Sequence, residues 1–159
     1  MLAWWDKLGV NMNQDAEFLS SKIDAAMQLC KNVLEYGERI KSLSPADIGM
    51  DAYATELTQF TEDRGRATRV AIQELNAVSN SYEELEKNSS ATPADKAFLS
   101  EKIRLVQDMS PLFAKQNVAI QKIIQVHLNS LRKESVEFHH NVGVIKNYLK
   151  APDKRSFYG

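Results

Sequence analysis

The feature that most constrains this chain is an apolar repeat in alternating steps of four and three, sustained over three long stretches. Leu19, Ile23, Ala26, Cys30, Val33, Gly37 and Ile40 form the first series. Tyr53, Leu57, Phe60, Arg64, Ala67 and Ala71, then Leu75, Val78, Tyr82 and Leu85, form the second. The third runs Leu99, Ile103, Val106, Ser110, Phe113, Asn117, Ile120, Ile124, His127 and Leu131. A repeat near 3.5 residues places these side chains on one stripe of an α-helix. Helices striped in this way meet along a seam with a left-handed supercoil. Only four prolines and six glycines interrupt 159 residues, which leaves room for helices of unusual length.

Two similar tetrapeptides divide the stretches. Ser44-Pro45-Ala46-Asp47 and Thr92-Pro93-Ala94-Asp95 each offer a hydroxyl at N-cap, proline at the first helical position and a carboxylate at the third. The hydroxyl accepts an otherwise unpaired backbone N–H, and proline has no N–H to waste there. The Asp answers the N-cap amide and the helix dipole. Polar residues precede both: Lys41-Ser42, and Asn88-Ser89-Ser90. Short connections make consecutive helices antiparallel. The expected fold is all-α: an elongated antiparallel, coiled-coil-like bundle of three long helices, with residues 1–150 as one domain and 151–159 as a flexible tail.

Ser110-Pro111 is expected to kink the third helix, because proline removes one backbone hydrogen bond and crowds the preceding turn. Ser110 is also able to cap a new helix, and a chain folding back there makes a fourth. The spacing of Val106, Phe113 and Ile120 favours a kinked, continuous helix. At about 1.5 Å per residue, residues 93–150 then outrun residues 45–88 by about fourteen positions. The stripe of Phe138, Val142, Ile145 and Leu149, with Val144 and Tyr148 beside it, is left without a mate in its own chain, and such apolar surface marks a binding site. A folded-back segment or a second copy of the chain would cover the same stripe as ordinary core. The adjacent Trp4 and Trp5 cannot both face one seam; they suit either a cover for the end of the bundle or a docking segment.

The composition argues against several function classes. Twenty Lys and Arg against twenty-one Asp and Glu give a net charge of −1, not the basic excess of a protein that lives on nucleic acid. No apolar run approaches the roughly 18 residues of a membrane span, so no stable membrane insertion is expected. The opening MLAWWDKLGV lacks the long apolar centre of a signal peptide. A single cysteine excludes an intrachain disulfide, and the cytoplasm is the expected compartment.

Signs of catalysis are missing. Cys30 lies on the apolar stripe, where a buried, inert thiol is expected. His139 and His140 are neighbours that diverge by about 100° on a helix. Glu137 and His140 make one Glu-x-x-His, whereas a di-iron bundle requires two together with further glutamates. No phosphate-binding loop, dinucleotide fingerprint or nucleophile elbow occurs, so no cofactor, metal or enzymatic activity is expected. Asn88-Ser89-Ser90 matches a glycosylation acceptor but reads as a polar turn. Arg64, Asn117 and His127 interrupt the seam as polar residues that set its register, and Glu62 to Arg66 read as a solvated face.

The carboxyl-terminal part carries a resemblance. Asn117-Val118-Ala119-Ile120 opens a helical stretch that runs to Tyr148-Leu149-Lys150; a short break with Pro152 and then Phe157-Tyr158-Gly159 follow. This order resembles FlgN-type flagellar export chaperones, in which an Asn-led helix precedes a proline-containing segment and a Tyr-Gly pair. The stretch here is about two heptads longer than the family pattern. The resemblance implies a cytoplasmic chaperone, a monomer or weak homodimer, that holds hook-associated flagellar proteins unassembled and delivers them to the flagellar type III export gate. Phe138, Val142, Ile145 and Leu149 would bind the client; Phe157 and Tyr158 would dock at the gate. The alternative is a structural coiled-coil adaptor that buries the same stripe by homodimerising.

Overall fold

A computed structural model describes residues 12–87 and 91–150, with side chains described through Asn147. Every regular element among the described residues is helical: α1 (Gln14–Ser42), the single turn α2 (Pro45–Ile48), α3 (Met50–Lys87), α4 (Pro93–Gln107) and α5 (Ser110–Lys150). The all-α bundle with a bent third helix is therefore what the chain forms. By its internal contacts the chain divides into two units, Met1–Val118 and Ala119–Gly159, the boundary falling inside α5.

In the first unit, α1 begins at Asn13, whose Oδ1 accepts the Asp15 amide at 2.9 Å, with Asp15 and Glu17 in the first turn. That arrangement satisfies one orphan donor and sets negative charge against the positive end of the helix. Every α1 position of the apolar repeat, from Leu19 to Ile40, is buried. Ala71, Val78 and Leu85 from α3 join them, with Leu99 and Val106 from α4; Phe113 of α5 packs against this cluster. Directions follow from the cross-helix bonds. Lys102 Nζ reaches Ser20 Oγ and Asp24 Oδ1 at 2.7 Å, while Gln116 meets Leu34 and Glu38, so the third stretch runs parallel to α1. Lys96 bonds the Glu86 carbonyl and Gln116 bonds Arg64, so the same stretch runs antiparallel to α3. This is up-down-up connectivity, the outcome of two short links.

The two links differ in detail. At Thr92 the full capping box forms: its hydroxyl accepts the Asp95 amide at 3.1 Å, and Asp95 accepts the Thr92 amide at 3.2 Å. At Ser44 the matching pattern gives no side-chain capping bond. Nor does a continuous helix follow. One turn ends at Gly49, φ +85°, which accepts the Tyr53 amide at 2.9 Å and so opens α3. A left-handed glycine costs no Cβ clash, so the first turn can end there and a second helix begin. The expectation of one helix from residue 45 is corrected accordingly.

The third stretch bends where proline requires it. α4 stops at Gln107; Asp108 and Met109 form a turn in which the Met109 amide bonds the Val106 carbonyl at 3.1 Å; α5 then starts at Ser110. Pro111 cannot donate to the Gln107 carbonyl, so the α-helical ladder lapses there. Across the bend the seam keeps Val106, Phe113 and Ile120 but changes between them. Ser110 and Asn117, expected on it, are exposed, and Gln116 takes the buried place between Phe113 and Ile120.

In the second unit, the remainder of α5 starts with buried Ile120 and half-buried Ile124 and His127. From Leu131 to Asn141 every residue is exposed.

Candidate functional site: an apolar stripe on the last helix

Positions 138, 142, 145 and 149 fall within about 60° of one another on an α-helix, so this face of α5 is apolar over three turns. Phe138 is 65% exposed and Ile145 57%; Val142 between them is half-buried, and Val136 and Val144 are exposed nearby. Leu149 continues the helix, but its side chain lies outside the described residues, as does that of Tyr148. Phe157 and Tyr158, together with the tail 151–159, Trp4, Trp5 and Asn88 to Ser90, also lie outside them.

An exposed phenylalanine and isoleucine one heptad apart form a strong apolar feature for a water-facing helix. Covering either side chain fully would contribute about 1.5–3 kcal/mol. His139, adjacent to Phe138, sets its ring edge-on at 5.9 Å with a 66° interplanar angle. His140 and Glu137 are exposed on the same stretch. No group of three or more His, Cys, Asp or Glu among the described residues is placed to hold a metal ion. No helix among them is long and apolar enough to cross a membrane.

The polar seam residues have a different geometry. Gln116 is only 5% exposed, and its amide is fully used. Its Oε1 accepts Arg64 Nε and Nη2 at 3.2 and 3.0 Å; its Nε2 donates to the Leu34 carbonyl at 2.8 Å and to Glu38 Oε1 at 3.2 Å. Gly37 makes the room: a Cβ there would lie 1.9 Å from Gln116 Cδ. Burial pushes the Arg64 guanidinium below its ordinary value. Bonds from Lys41 and then Gln116 hold the Glu38 carboxyl below its own. With every polar atom of the Gln116 amide bonded, this layer is a register pin and not an empty polar site. Reading the sequence located Arg64 and Gly37 but missed Gln116, whose only signal is that it faces the one seam position without a side chain.

A cavity of about 270 Å³ lies inside the first unit beside the α4–α5 bend, lined by Ile23, Cys30, Leu75, Val78, Ile103 and Phe113 among others. Cys30 lies on its wall, and burial raises its thiol above the ordinary value, which suppresses the thiolate a nucleophile requires.

No family model matches the chain, and no curated protein or solved structure shows significant similarity to it.

Proposed function

We propose that this protein is an export chaperone of the FlgN type, acting without a catalytic step. In this reading it binds hook-associated flagellar proteins through the C-terminal part of α5 and carries them to the flagellar type III export gate. The observation that carries the reading is the exposure of Phe138 and Ile145 on a helix whose sequence continues into Phe157-Tyr158-Gly159. A client's amphipathic helix laid along this face would bury both side chains, helix against helix. Binding a segment prone to premature assembly lowers its free concentration, which is the whole of the mechanism.

The test is calorimetry of the full chain against purified hook-associated proteins. A Phe138→Ala, Ile145→Asp double variant should lose client binding while its far-ultraviolet circular dichroism stays unchanged. Unaltered affinity would remove the assignment. Tyr158→Ala should spare client binding and weaken capture by export-gate components. Sedimentation equilibrium completes the test: a tight dimer abolished by the same double variant would favour the homodimeric adaptor instead.

A further inference from the structure

The two units carry opposite charge. Residues 1–118 hold thirteen Lys and Arg against eighteen Asp and Glu, a net of −5; residues 119–159 hold seven against three, a net of +4. The near-neutral total hides this division.

Within the second unit the positive charge is also ordered. Leu131, Ser135, Phe138, Val142 and Ile145 follow steps of four and three along α5, which makes them the docking face of a coiled-coil helix. Arg132, His139 and Lys146 each come one residue after a member of that face and are seven residues apart, so they form a single row along one edge. All three are exposed, and among the described residues none makes an ion pair. The opposite edge carries Glu134 and Asn141, with Glu137 behind them.

We infer that the partner laid on this face is an amphipathic helix whose edge facing Arg132, His139 and Lys146 is acidic. The inference rests on the stripe being a helix-docking face, as proposed above, and adds the chemistry of its occupant. A second copy of the chain fits poorly. Antiparallel pairing sets basic row against basic row, and parallel pairing offers only Glu134 opposite the partner's edge. An anionic membrane surface fits less well too. Helices that lie on membranes carry basic residues along both flanks, whereas here one flank carries the two glutamates. Charge placed at the edge of a docking face acts on partner choice and association rate, so the preference is for acidic partners and weakens with salt.

Two synthetic amphipathic helices of about four heptads test this, identical in their Leu and Val core and carrying either glutamate or lysine at both edges. Fluorescence anisotropy against the full chain at low salt should show the glutamate peptide binding about tenfold tighter, because Arg132 and Lys146 attract glutamate and repel lysine. The preference should shrink towards unity at about 0.5 M salt. A chain with R132E, H139E and K146E should reverse it. Equal binding of both peptides, binding of neither, or no reversal would overturn the inference. Phe138→Asp with Ile145→Asp separates the two claims. If both peptides bind equally and this variant loses both, the stripe is a docking face and the charge inference fails. If the variant still binds the glutamate peptide at full strength, the stripe reading itself fails. Vesicles of phosphatidylserine and phosphatidylcholine form the last arm, and binding to them at the glutamate peptide's affinity would overturn the inference in favour of lipid.

Discussion

The first unit and the α5 residues beyond Leu131 are built from the same kind of sequence, yet they meet solvent differently. In α1 the repeat from Leu19 to Ile40 is buried at every position, and Leu99 of α4 is fully enclosed. In α5 the same spacing continues through Leu131, Phe138 and Ile145, and these side chains stay exposed. An apolar stripe therefore specifies a face that wants cover. Whether that cover comes from the same chain depends on where the other helices end.

Five measurements test this contrast between covered and uncovered stripes. The largest contrast should appear in amide hydrogen exchange. Amides of α1 at its seam positions exchange through global opening, while those of 131–147 open locally, so protection should differ by at least about 100-fold. Equal protection would mean that this part of α5 is as well held as the core. Next in size is Leu99→Ala, which should cost about 3 kcal/mol in urea unfolding, whereas Phe138→Ala should cost less than about 0.5 kcal/mol. Gln116→Ala should cost about 1–2 kcal/mol by stripping the partner from Arg64, and Asn117→Ala should be neutral within about 0.5 kcal/mol. The reverse ranking would restore Asn117 to the seam.

Smaller effects compare the two links. Thr92→Ala should cost about 1 kcal/mol through loss of its capping bond, and Ser44→Ala no more than a few tenths, since Ser44 makes none. The smallest effect is acid sensitivity. The Arg104 bond lowers the Glu101 carboxyl below its ordinary 4.5, so the ionised form favours the folded state. This contribution is complete above that value and lost as the pH falls through the depressed one. Glu101→Gln should therefore flatten the stability profile slightly below pH 4.5 and change nothing at pH 7; an unchanged acid limb would show the pair to be inert.

Much of this structure was legible in advance, for identifiable reasons. The seam positions of α1 and α3 follow from periodicity alone, because a continuous helix carries its phase from turn to turn. The Thr92 link follows from local capping chemistry, since all its partners lie within four residues. Failures occurred where local signals competed. Ser44 opens the same hydroxyl-Pro-Ala-Asp pattern as Thr92, but Gly49 ends its helix after one turn and the hydroxyl caps nothing. Past Pro111 the phase persists through Phe113, Ile120 and Ile124, but between the first two Asn117 yielded the seam to Gln116.

For the candidate site the division is similar. Phe138, Val142 and Ile145 share a face because helix geometry dictates it, and the row of Arg132, His139 and Lys146 follows from the same arithmetic. Their exposure could not be read from the letters, because it depends on which helices lie alongside, and buried Leu19 and exposed Phe138 obey one repeat. Helices, stripes and charge rows follow from the letters alone, because all are set by interactions within a few residues. Packing settled which stripes were covered, that Gln116 fills the space left by Gly37, and that a cavity opens beside the bend. Those outcomes depend on contacts between residues tens of positions apart, and local periodicity carries no record of them.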